Sequence, residues 1–155
     1  MMERTPFSIA TLQKRTVAFV IDDIVVSLFF LAIFYDQITL FLGSIPLEQQ
    51  SDTQAILEQM NQFVVANILP LFTLKVLYHT ILVWQNGMTL GKYLMKIKVV
   101  TLDGYHNLSF QSAFFRALLR IPSETFFYLG FILAFFSPLR QTFHDKFSNS
   151  VVVDA

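Results

Sequence analysis

Two long stretches of the chain, 17–42 and 63–84, are almost continuously apolar and lack the polar face that a helix on a water-soluble core must present. Each reaches the roughly 20 residues needed to cross the hydrocarbon of a bilayer, and so each predicts a transmembrane helix. Trp84 closes the second stretch as an interfacial aromatic, and Pro70 within it removes a backbone donor and predicts a kink. The intervening 43–62 carries Pro46, Glu48, Asp52 and Glu58 without a single Lys or Arg, which predicts a polar loop.

After Gly87 the pattern changes. Lys96 to Thr101 partly alternates and is β-branched, and Asp103-Gly104 is a tight-turn signal, so a small β-hairpin is expected over 95–108. The β-rich run 150–153 has no partner of its own and is expected to join that hairpin at its edge, because an unpaired strand leaves backbone groups unsatisfied. Within 110–139, Ser109 is placed to cap an amphipathic helix over 109–121, Pro122 to break it, and Ser123-Glu124 to start a third span over 123–139. The apolar core of that last segment is short for a full crossing, so one half of this helical hairpin is expected to be interfacial or re-entrant. The fold class is therefore an all-α membrane protein with a small cytoplasmic β-hairpin, in one domain over 1–155.

Charge sets the orientation. Lys14 and Arg15 precede the first span, Lys92, Lys96 and Lys98 follow the second, and the loop between is acidic, so both termini are expected in the cytoplasm of an inner-membrane protein. The start of the chain resembles a signal peptide, but Asp22 and Asp23 interrupt its apolar run and the segment is expected to stay as the first span. Composition agrees with lipid as solvent: 54% hydrophobic, 14% charged, mean hydropathy +0.55. The formal net charge of zero offers no basic field for nucleic acid, and the absence of Cys excludes thiolate chemistry and Cys-ligated zinc.

The chemistry worth weighing lies inside the spans, where an acid costs from roughly 3 kcal/mol upward. Arg15 and Asp22 are seven residues apart and share a helix face; Asp23 points about a quarter turn away. In the second span Asn67, Leu71, Lys75 and His79 follow at four-residue steps, which aligns two basic groups on one face. By helical rise from Trp84, His79 lies roughly 8 Å deep and Lys75 roughly 14 Å, depths that bracket the aspartates. The expectation is that Asp22 or Asp23 faces His79 and Lys75 between the spans. Three readings of the cluster stand: a static polar staple, an ion or proton path, or a head-group site in which Arg15, Arg116 and Arg120 meet lipid near the inner leaflet.

Other motifs carry less. Gly87-Met88-Thr89-Leu90-Gly91-Lys92 falls short of a phosphate loop, with three residues between its glycines and Tyr93 where Ser or Thr would hold magnesium. His79, His106 and His144 lack metal-ligand spacing, no catalytic Ser/His/Asp order occurs, and neither cofactor, metal nor enzymatic activity is expected.

Taken in order, Arg15 to Asp22, Gly87 to Lys92, Ile97 to Val100 with Asp103-Gly104, Ala113 to Arg116, and Phe143-His144-Asp145 with Val151-Val152 resemble the RDD family of small integral membrane proteins, over nearly the whole chain. The resemblance implies that Arg15 and Asp22 are the family arginine and first aspartate and Asp145 the second, with Asp23 an extra acid. It also implies that Asp145 meets Arg116 or Arg120. The family has Thr near the place of Ser150. For some members cation/proton exchange has been proposed, which by analogy implies transport of a small ion or solute. With so few spans, transport implies a homo-oligomer. The alternative is a non-transporting accessory protein that binds lipid or a membrane partner through Lys96, Lys98, Arg116 and Arg120.

Overall fold

The computed structural model describes residues 8–45, 53–103, 106–125 and 134–155. Helix α1 (Leu12–Ile33) starts on Thr11, whose hydroxyl accepts from the Lys14 backbone N–H at 3.3 Å. It stops at Phe34, and α2 (Tyr35–Ser44) follows directly. The first apolar stretch is thus two helices that meet at Phe34, and α1 alone is long and apolar enough to span. The second expected span is longer than its apolar core: α3 runs Thr53–Asn86 with Pro70 inside it. Polar Thr53 to Gln62 extends the helix and does not form a loop, because nothing there before Pro70 interrupts the i to i−4 ladder. The rest of the expected loop, 46–52, lies outside the described residues.

Large apolar side chains on both long helices face outward, among them Ile24, Leu28 and Leu31 on α1 and Val65, Leu69 and Leu77 on α3. In water such surface is a liability; in a bilayer it is the expected lipid face. Two candidate membrane spans therefore form the body of the molecule.

After α3 the chain turns at Gly87, whose φ of 70° is open to glycine, and enters the short α4 (Leu90–Leu94). Strand β1 (Ile97–Thr101) follows. The expected local hairpin over 95–108 does not form. β1 pairs instead with the C-terminal β2 (Ser150–Asp154), antiparallel, from Ile97 opposite Asp154 to Thr101 opposite Ser150. The turn beyond Thr101 is closed by the Thr101 N–H donating to the His106 carbonyl at 2.9 Å, and Leu108 then buries its side chain in the core, so no returning strand is needed. Both strands are apolar without strict alternation because both faces of the sheet are covered. Val99 and Val152 pack with Ala18, Val83 and Ala113 on one side, and Val100, Val151 and Val153 pack with Leu139 on the other.

The first described residues are tied to the same sheet. Ile9 bridges Val153, the Ala10 N–H donates to the Val152 carbonyl at 3.0 Å, and Lys14 Nζ meets Asp154 at 2.6 Å. Both ends of the described chain and the segment after α3 thus gather in one cap at one end of the long helices.

Helix α5 (Phe110–Thr125) begins at Ser109, whose hydroxyl accepts from the Ser112 N–H at 3.2 Å. Pro122 does not break it. Proline deletes a single helical hydrogen bond, the one its own N–H would make to the Leu118 carbonyl, and the helix continues for three residues beyond it, with Ser123 Oγ donating to the Leu119 carbonyl at 2.9 Å. Of the expected third span over 123–139, residues 123–125 continue α5, 126–133 lie outside the described residues, and 134–136 are helical. A last short helix, α6 (Phe143–Phe147), leads into β2. α3 packs mainly along α5, and α1 mainly against α4.

Candidate functional site

Asp22 is fully buried on the face of α1 that also buries Ala18 and Val26. Its Oδ1 accepts from the Tyr78 hydroxyl at 2.9 Å and the Gly91 N–H at 2.8 Å; its Oδ2 accepts from Thr89 Oγ1 at 2.6 Å. Lys92 Nζ stands 3.5 Å from Oδ2 and donates to Thr89 Oγ1 at 3.2 Å. Three donors and a nearby ammonium compensate what burial takes from this carboxylate. Burial pushes the Lys92 ammonium down to about 7, with Asp22 opposing that fall and Arg120 and Arg116 adding to it. Tyr78 ties the knot, because its oxygen also accepts from the Leu90 N–H at 3.2 Å. Asp22 therefore docks α4 and the end of α3 onto α1.

Asp145, also fully buried, sits at the third position of α6. One oxygen accepts from Arg116, with Nε at 3.1 Å; the other accepts from Arg15 and from the Thr142 N–H at 3.0 Å. Arg15 donates in addition to the carbonyl of Arg140, a residue held at φ 50°. Burial works against the Asp145 carboxylate, but Arg15 and Arg116 outweigh it and hold the group well below the usual carboxylate range. Burial, followed by Arg116, drives neighbouring His144 well below its ordinary value against the pull of Asp145. This pair of arginines joins α1 and α5 to the C-terminal helix.

The expected Asp–His–Lys cluster is divided. Asp23 does meet Lys75, at 2.6 Å, in a pair whose carboxylate side chain is 43% exposed. Asp22 does not face His79. The quarter-turn offset between the aspartates sends Asp22 toward α4, and His79 instead meets Arg120 at 3.1 Å, with the Tyr78 ring edge-on at 5.0 Å. The Arg120 guanidinium also lies 4.7 Å from the centre of the Phe19 ring.

The head-group role expected of Arg116 and Arg120 meets a second correction. Both are buried, since α5 turns its basic positions toward α3 and α6 and leaves Phe110, Phe114, Phe115 and Leu118 outside. Lys96 is exposed and Lys98 partly so. Among the described residues no group of three His, Asp or Glu is arranged to hold a metal ion.

Sequence reasoning missed Tyr78, Thr89, Gly91 and Lys92 as partners of Asp22. The signal was present in the Gly87 to Lys92 motif, which is built for close approach. A Cβ on Gly91 would run into the Ala18 carbonyl and lie 2.9 Å from Asp22 Oδ1. The glycine serves a carboxylate from the same chain where a phosphate loop would serve a ligand.

The sequence profile of the RDD family matches residues 9–149, a span that contains Arg15, Asp22 and Asp145. No curated protein and no solved structure matches the chain.

Proposed function

The chain belongs to the RDD family of membrane proteins, and from that premise we propose that it exchanges a small cation for protons across the inner membrane as a homo-oligomer. The observation that carries this reading is the Asp23–Lys75 pair. It lies between the two candidate spans, beside a groove of about 340 Å³ along α1 that Asp23 shares with Phe19 and Ser27. Asp22 and Asp145 are locked by several donors each, whereas Asp23 keeps one side open. A carboxylate turned toward hydrocarbon would be severely penalised, so this face belongs against a second copy or a water-filled path. There a cation or a proton competes with the Lys75 ammonium for Asp23. The cap that gathers both ends of the described chain then faces the cytoplasm, in keeping with Lys14, Arg15, Lys92 and Lys96 at that end.

Reconstitution tests the proposal. Purified protein in liposomes should acidify or alkalinise the lumen when a sodium or potassium gradient is imposed. Folded oligomer that moves no protons under either gradient refutes it.

A second reading rests on α5. Its Phe110, Phe114, Phe115 and Leu118 face outward and Lys96 is exposed, features suited to a membrane surface or a membrane partner. In that case the protein is an accessory factor, and a stoichiometric partner should co-purify and be lost when Lys96 and Lys98 are both changed to Glu.

A further inference from the structure

The turn at Gly87 does more than redirect the chain. A Cβ there would lie 2.6 Å from Lys98 Cε and 3.0 Å from its Cγ, so the missing side chain makes room for the lysine stem to lie across the turn. The Gly87 carbonyl fixes the strand beside it by accepting from the Val99 N–H at 2.8 Å. Lys98 thereby lines a surface groove of about 530 Å³ between the end of α3, α4 and β1. Among the described residues its ammonium pairs with no carboxylate, and no acidic side chain lines the groove. Gln85, Asn86 and Asn107 bring side-chain amides to the same place, and Tyr93 a phenol. One positive charge held among neutral donors suits a single phosphate group with one negative charge.

Position selects the form of that phosphate. Trp84 is 44% exposed and Tyr93 68% exposed, amphipathic aromatics of the kind found where a spanning helix meets lipid head groups. Leu82 and Leu90 supply the apolar part of the wall, and exposed Leu94 extends the Leu90 face by one turn of α4. A free phosphate gains nothing from apolar walls, whereas a phospholipid lays the upper part of its acyl chains against them. A zwitterionic lipid brings its own ammonium beside Lys98, with no acid in the groove to receive it.

We propose that this groove binds one anionic glycerophospholipid from the leaflet at the cap end, its phosphate against Lys98 and the amides and its acyl chains beside Leu82 and Leu90. The site shares no residue with the Asp23–Lys75 pair, so its test does not depend on transport. It needs no protein partner either, and it makes Lys98, not Lys96, the lipid contact.

Trp84, the single tryptophan of the chain, adjoins groove-lining Gln85 and reports on the site. The full chain is reconstituted in phosphatidylcholine vesicles that hold a minor fraction of a lipid brominated on its acyl chains, either phosphatidylglycerol or phosphatidylcholine, and quenching of Trp84 fluorescence is read. Brominated phosphatidylglycerol should quench with an apparent affinity about fivefold above that of brominated phosphatidylcholine, the worth of one lysine beside an anionic head group. Lys98→Met keeps the stem over Gly87 and loses the charge, and should abolish this preference. Lys98→Arg and Lys96→Gln should both retain it, and inorganic phosphate added at constant ionic strength should leave it intact. Should Lys98→Met not fold, Lys98→Gln gives the same comparison, and the two lipids and the phosphate arm on the unaltered protein stand without either. Equal quenching by the two brominated lipids, or a preference that survives in a folded Lys98→Met, would overturn the assignment. So would an equal loss in Lys96→Gln, which marks diffuse attraction, or abolition by inorganic phosphate, which marks a site for the free ion.

Discussion

The Gly91 backbone N–H donates to the Asp22 carboxylate at 2.8 Å, across a separation of 69 residues. This bond seats α4 against the first candidate span and works only because Gly91 has no side chain: a Cβ would strike the carbonyl of Ala18.

Gly91→Ala should therefore destabilise the protein by about 1–3 kcal/mol, the usual range for overpacking a filled site. Backbone faces backbone there, so the strain has no flexible side chain to relieve it. Thermal unfolding in detergent checks this, and an unchanged melting temperature would show that α4 does not dock as described.

Asp145 balances two buried arginines. Asp145→Asn leaves Arg15 and Arg116 opposite a neutral amide and should cost about 3–5 kcal/mol, as expected when one partner of a buried ion pair is removed. Because the folded carboxyl is depressed, its contribution is fully present above the unfolded value of about 4 and is lost as pH falls through the lower folded value. Melting temperature should drop on acidification from pH 5 to pH 3, and this group's share of the drop should vanish in Asp145→Asn.

Lys92 gives a slope of the same sign in a higher pH window, because there it is the charged form that the fold disfavours. Its folded ammonium is pushed down to about 7 by burial, below the unfolded value of about 10.4, so between these pH values the unfolded chain binds more protons than the folded one. Stability should rise with pH over that window, by at most about 1.4 kcal/mol per unit from this group. Lys92→Met should remove this rise when melting temperatures are compared at pH 7, 8 and 9.

Much of the architecture was legible in the sequence because bilayer-length apolar runs and charge placement are one-dimensional signals. Both long apolar helices, the amphipathic α5 and the β-character of 97–101 and 150–154 follow from them. The partner of β1 was misjudged because Asp103-Gly104 favours a local turn, while long-range pairing with β2 also buries Val151, Val152 and Val153 between two apolar layers. Helix boundaries moved because Pro122 removes a single hydrogen bond without ending α5, and because Thr53 to Gln62, though polar, is built largely of residues that sustain a helix.

The candidate site was half legible. Four-residue spacing placed Lys75 beside Asp23 correctly, since both lie on facing sides of two helices. The same spacing could not reveal that Asp22, one position earlier, turns to a glycine loop beyond α3, because helix rotation is set by packing and not by period. Family resemblance supplied Asp145 and its link to Arg116, which spacing alone would not have found.

The proposed exchange divides labour among the three aspartates, with Asp22 and Asp145 holding the structure and Asp23 as the proposed site of the cation. Cation-driven proton flux in liposomes, measured for the unaltered protein and for Asp23→Asn and normalised to folded protein, tests it most directly. Asp23→Asn should fold and melt near the unaltered protein while losing most of its flux. Full flux from a folded Asp23→Asn would contradict it.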